Sequence, residues 1–140
     1  MMIWRLATAF LLCSCALAQA PTPWACQAEL HKAEPKVLFI RVSDGVTNKM
    51  ADTKILPDIS DLKGKELDSV VVVEILVNTD GDVRCTRVQQ GDSDLAQRSL
   101  DAAQRWHYKP YFVNGEKLIV DTWIRFNYTK DHVEVLLRIR

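Results

Sequence analysis

The chain has no excess of charge: 18 basic and 18 acidic residues leave a formal net charge of zero. Proteins of nucleic acid or anionic membranes draw affinity from clustered Lys and Arg, so this balance points to neither as the main partner. Catalytic signatures are missing as well. There is no Gly-x-Ser-x-Gly elbow and no Gly-rich phosphate loop. Ser60, Ser69, Ser93 and Ser99 fall in turns or caps, and the acids are spread evenly, with no pair set for acid–base work. His31, His107 and His132 stand far apart and no Cys-x-x-Cys occurs, which leaves no metal-ligand spacing. No polar cluster converges on an apolar stretch, so neither a cofactor nor a small-molecule substrate is indicated. No repeat or low-complexity tract is found, and 140 residues suit one domain. These absences disfavour an enzyme and leave binding and structural roles.

What is present begins with a leader. Arg5 is followed by an apolar run of about a dozen residues, Leu6 to Leu17, then small residues, with cleavage expected after Ala18. The run falls short of the roughly 20 residues of a membrane span, so an uncleaved inner-membrane anchor is the weaker alternative. A buried N-terminal helix competes with this reading, but the Pro-containing stretch that follows isolates the run. Leu12-Cys13-Ser14-Cys15 also has the outline of a lipidation site at Cys15. Residues 1–18 are therefore read as a signal peptide, and residues 19–36, with three prolines and no clear period, as a tether or N-terminal arm. Export would leave Cys26 and Cys85 in an oxidising compartment, where they either pair or remain free thiols.

Residues 37–140 form the expected domain. Val37 to Val42 is a short strand. Ser43 to Ser69 has turn signals at Asp44-Gly45 and Leu56-Pro57, with Ile59, Leu62 and Leu67 permitting a short helical turn. Val70 to Val77 (VVVVEILV) is β-branched and apolar apart from Glu74. The turn Asn78 to Gly81 returns it as a second strand, Asp82 to Gln90, making a hairpin. Asp92 to His107 reads as a helix capped by Asp94, with Gln97 at the capping-box place. Leu95, Ser99, Ala102, Ala103 and Trp106 fall on one face. Proline ends it at Pro110. Asn114-Gly115 turns the chain into a long strand, Lys117 to Tyr128, and Val133 to Ile139 is a last short strand. The fold class expected is α+β, a small antiparallel sheet of three to four strands with one main amphipathic helix packed on it.

The ordered set Gly81-Asp82-Val83, Leu95, Ala102-Ala103, Trp106-His107-Tyr108-Lys109-Pro110, Asn114-Gly115 and Ile124-Arg125-Phe126 resembles the C-terminal domain of the TonB energy transducer, over about residues 56–128. Each of these residues has a structural role. Gly81 and Gly115 serve turns, Val83, Leu95, Trp106 and Tyr108 pack, and Pro110 redirects the chain. The motif thus marks a scaffold and carries no chemistry of its own. The sequence departs from the family at Leu56-Pro57, Gly64 and Asp68, where the family has Tyr-Pro, an Ala-rich helix and Gly. It also has about eighteen tether residues, reaching roughly 60 Å, where the family transducer has a membrane anchor and a long Pro-rich spacer. The product is expected to be periplasmic, soluble or lipid-anchored, and not a complete transducer by itself.

The resemblance implies a protein-binding module in which a sheet edge receives an extended segment of an outer-membrane receptor or another envelope protein. The edge expected is the long strand, through Leu118, Val120, Thr122, Ile124, Phe126 and Tyr128. Coverage of that edge by Val133 to Ile139 or by a second copy is the competing arrangement. A self-associating periplasmic protein, such as a homodimer, is the alternative function. Cys85 sits where the family carries a polar residue, and pairing with Cys26 would pin the arm to the sheet.

Overall fold

The computed structural model describes residues 24–137. The leader, the Cys15 site and the first residues of the arm lie outside the described residues, as does the end of the strand expected over Val133 to Ile139. In chain order the elements are α1 (Ala25–Ala33), β1 (Phe39–Arg41), α2 (Asp44–Met50), β2 (Ala51–Thr53), a 3₁₀ turn (Ser60–Leu62), β3 (Ser69–Val77), β4 (Val83–Gln90), α3 (Ser93–Gln104), β5 (His107–Tyr108), β6 (Tyr111–Val113), β7 (Glu116–Tyr128) and β8 (Val133–Leu136).

The β-branched run of β3 makes it an interior strand, antiparallel to β4 on one side and to β7 on the other. The path is β1-β7-β3-β4, with β6 and β8 also paired to β7, so the main sheet has six strands rather than three or four. It is mixed, because β1 runs parallel to β7. β2 and β5 form a separate two-stranded sheet. The fold is α+β, and the additional strands are two to four residues long, too short to show a period of their own.

The β3–β4 turn requires Gly81. Its φ is +92°, and a Cβ there would lie 1.7 Å from the Tyr108 carbonyl oxygen. That approach is itself a contact, since the Tyr108 N–H donates to the Gly81 carbonyl at 2.8 Å. At the β6–β7 turn Asn114 and Gly115 both have positive φ, 51° and 81°, the pairing a tight two-residue hairpin favours.

Alternation along the strands sorts two faces. On one, Leu95, Ala102 and Ala103 of α3 meet Val71, Val73, Ile75, Ile124, Phe126 and Tyr128 in the main core. The Ser99 hydroxyl, buried here, is 2.6 Å from the Tyr128 hydroxyl and donates to the Leu95 carbonyl at 2.8 Å. Helix α3 is capped by Asp92, whose carboxylate accepts from the Asp94 N–H at 2.8 Å, and not by Asp94. Gln97 reaches forward to Asp101 rather than back to the cap. The helix ends at Gln104, so Trp106 stands just beyond it, 3% exposed, with its indole N–H donating to the Ile55 carbonyl at 2.8 Å.

Two segments differ from the sequence reading for one physical reason, tertiary anchoring. Residues 25–33 of the arm are helical and pack on β4, although only Leu30 is buried. Asp44-Gly45 does not turn the chain but opens α2, after Ser43 in extended conformation. A buried bond between the Thr47 and Thr122 hydroxyls, 3.0 Å, and an ion pair from Asp44 to Arg125 hold α2 on β7.

Candidate functional site: sheet edges and the open face

The long strand is not an edge. β3 covers one side of β7 from Val120 to Tyr128. On its other side lie β1 at Ile119–Asp121 and β8 at Arg125–Tyr128, while β6 pairs Glu116–Leu118. Leu118, Val120, Thr122, Ile124, Phe126 and Tyr128 are all buried on the core face. The alternation that singled them out marks the face turned to α3, so they build the scaffold and are not placed to touch a partner. Alternation identifies a face; it carries no information about which strands lie alongside.

The opposite face of the sheet carries the polar chemistry. Glu74, the one charge in β3, is 2% exposed. Arg41 of β1 reaches it at 3.2 Å and Arg87 of β4 at 2.8 Å, and the Gln89 amide also donates to it. Arg41 bonds Asp121 of β7 as well, at 2.6 Å and 2.9 Å. The two guanidinium groups stack on indoles, Arg41 on Trp123 at 5.0 Å and Arg87 on Trp24 at 4.2 Å. Burial pushes the Glu74 carboxyl upward, but the Arg87 guanidinium and its other donors outweigh this and hold it below its ordinary range. Burial raises Asp121, helped by the nearby Glu74 charge and only partly countered by Arg41. Glu74 is therefore the stably ionised member.

Beside this network α1 closes a second, smaller core. Leu30 packs with Leu76, Cys85 and Ile119, flanked by Trp24, Cys26, Val37 and Phe39. Cys26 and Cys85 are joined here, with their Cα atoms 5.8 Å apart.

Among the described residues, no helix lies over the groove on the other half of this face. Gln90, Val72, Arg125 and Leu136 occupy one row across β4, β3, β7 and β8. With Trp123 and Leu137 they line this groove of about 440 Å³. The expected strand residues do not reach this groove, yet its signal lies in the same run: Trp123 and Arg125 are the alternate positions of Lys117 to Tyr128.

The edges differ in how they are guarded. β4 pairs with β3 through two register shifts, carries exposed Arg84, Gln89 and Gln90, and is packed by α1. Bulges and charges of this kind block strand addition. β8 pairs with β7 without a register shift, and its four residues carry one exposed charge, Glu134, which accepts from the Asn127 amide. The Thr129 N–H donates to the His132 carbonyl at 2.9 Å, and alternation from that pair turns the N–H and C=O of Val135 away from β7.

Gly81, Val83, Leu95, Trp106, Tyr108, Pro110 and Gly115 lie in turns, packing and the β5–β6 connection. Tyr108 is 3% exposed, and burial raises its hydroxyl pKa. Among the described residues, no three His, Cys, Asp or Glu side chains gather to hold a metal. No helix among them is long and apolar enough to cross a membrane.

The family model described as Gram-negative bacterial TonB protein C-terminal matches residues 60–129, half of the chain. Neither the curated proteins nor the solved structures contain a match.

Proposed function

The chain belongs to the Gram-negative bacterial TonB C-terminal family, and from that premise we propose that it takes up an extended segment of an outer-membrane receptor, or of another envelope protein, along the outer edge of β8. The family is a non-catalytic, transport-associated one whose domain works on the periplasmic side, so the coarse function is that of an envelope protein-interaction module. The finer reading is carried by one observation, the outward-turned N–H and C=O of Val135 in an unbulged β8, beside a groove of mixed polar and apolar lining. A strand laid there bonds the outward N–H and C=O of Val135, which gives affinity independent of sequence. Its side chains on the open face come next to Leu136 and Leu137, where Trp123 and Val72 offer apolar surface. Export of the chain, with or without a lipid anchor, belongs to the same reading, which assigns the module to the periplasm.

The test is titration of isotope-labelled protein with peptides from periplasm-facing segments of outer-membrane receptors. Amide shifts concentrated at Val133–Leu136 and Trp123 are expected. Val135→Pro removes an outward donor without breaking a β7–β8 bond and should weaken binding about tenfold or more. Shifts confined to β4, or unchanged binding by this variant, overturn the site. Concentration-dependent shifts at β8 without any peptide would identify self-pairing, the alternative function.

A further inference from the structure

A second edge of the sheet is covered by the chain itself. β1 lies parallel on Ile119–Asp121 of β7. The Ile119 N–H donates to the Leu38 carbonyl and the Val42 N–H to the Asp121 carbonyl, both at 3.0 Å. β1 has three residues and pairs with β7 alone among the described strands, and Leu38 beside it is 68% exposed. So short a strand is held less by its ladder than by what flanks it. On the N-terminal side, Cys26 in the first turn of α1 is bonded to Cys85 of β4, and Trp24 stacks on Arg87. At its end, Arg41 is bound by Asp121 and Glu74.

The chain after β1 is fastened separately. Asp44 pairs with Arg125, and the Thr47 and Thr122 hydroxyls bond each other, so α2 stays on β7 whatever the arm does. Ser43, extended and exposed, is the junction between the two. The cluster beneath the arm, Leu76, Cys85 and Ile119 under Leu30, is distinct from the main core on the opposite face. Residues 24–41 can thus lift as one unit, withdrawing from the main core only Ile40 at its margin, while the α3-facing residues of β3 and β7 stay packed.

We propose that this arm is a disulfide-latched cover over a second strand-receiving edge, and that reducing Cys26–Cys85 opens Ile119–Asp121 to a parallel segment patterned like β1. The fitting segment has an aromatic residue in the place of Phe39, over the small core, and a basic residue two positions on, facing Asp121 and Glu74. The reductant is a dithiol. One thiolate attacks the partly exposed Cys26 sulfur, the S–S bond breaks, and Cys85 leaves as a thiolate that takes up a proton. The second thiol of the reductant then displaces Cys26, leaving the reductant as a disulfide and the protein with two thiols. The identity of the occupant rests on the strand-addition reading; the latch does not.

The experiment compares amide hydrogen exchange of the full chain, oxidised and after dithiothreitol. In the oxidised protein the Ile119 and Val42 amides should exchange together with Val71 and Val73 of β3. After reduction they should exchange about tenfold or more faster than those core amides, which reports local opening rather than lower global stability. Ile119 and Val42 still tracking the core after reduction would overturn the latch. For the receiving edge, the probe is a labelled peptide of residues 37–42. A tethered arm competes at high effective concentration, so the binding host is the full chain carrying Cys26→Ser, Cys85→Ser and Arg41→Glu. This host should bind the peptide, the Arg41→Glu chain with its disulfide intact should not, and a peptide with Glu in place of Arg41 should bind about tenfold more weakly. No capture by the unlatched host, with the arm amides open, overturns the receiving edge and leaves the β8 test unaffected.

Discussion

Trp106 shows how one side chain ties three elements together. It stands past the end of α3, meets Phe126 of β7 edge-to-face at 6.3 Å, and gives its indole N–H to the Ile55 carbonyl in the loop before β3. Trp106→Ala removes that volume from the core and leaves a carbonyl without its donor. A loss of about 3–5 kcal/mol is expected in chemical denaturation. Its neighbour His107 faces outward. Its Nδ1 lies 2.8 Å from Asp52 and its Nε2 3.6 Å from Asp82. The hydrogen bond to Asp52 raises its pKa above the ordinary value, and the charges of Asp52 and Asp82 add to this. A group with a raised folded-state pKa contributes fully below its unfolded pKa, and the contribution fades as pH rises through the folded value. Urea stability should therefore decline modestly from about pH 6 to about pH 8, and the decline should flatten in His107→Gln. The effect is small because the ring is partly exposed and the ion pair screened.

At the scale of elements, what the chain encodes locally is legible in the sequence. The β3–β4 hairpin announces itself through a β-branched run and Gly81, and α3 through Leu95, Ala102 and Ala103 on one face and Pro110 beyond its end. What depends on distant partners is not legible. α1 buries only Leu30 and is held by β4 through Cys85; α2 contains Gly45 and is held by Thr122 and Arg125. The place of β7 in the sheet is hidden for the same reason, since nothing in Lys117 to Tyr128 tells that β1 and β8 will flank it. Glu74 is visible as the one charge of its strand, while its partners come from β1 and β4. Those partners, Arg41 and Arg87, are 60% and 42% exposed and can rehydrate if the carboxylate is lost. Glu74→Gln should cost about 1–3 kcal/mol. Chemical denaturation of this variant beside the parent is the check, and an unchanged midpoint would count against a stabilising role for the network.

Over the whole molecule, the sheet is covered on both faces by different means. α3 covers one face with apolar surface, a core large enough to hold by itself. The other face is charged at its centre, and α1 brings little apolar area to it, so its cover depends on a covalent bond. That bond joins residues 59 apart. Closing a loop of this length restricts the unfolded chain and stabilises the fold by about 4 kcal/mol on the chain-entropy estimate, with about 2–4 kcal/mol typical of measured cases. The Cys26→Ser, Cys85→Ser variant should therefore unfold at clearly lower denaturant than the oxidised protein, by about that free energy. It should keep most of its far-ultraviolet signal, because β3, β4, β7 and α3 lie outside the latch and only α1 and β1 lie within it. Alkylation without reductant, followed by mass spectrometry, is the accompanying check. Protein purified from an oxidising compartment should take up no label at Cys26 or Cys85, and labelling of both would mean that the second face is held without the bond. In that event the arm would have to be retained by Arg41, Trp24 and Leu30 alone, and the serine variant would match the parent in stability.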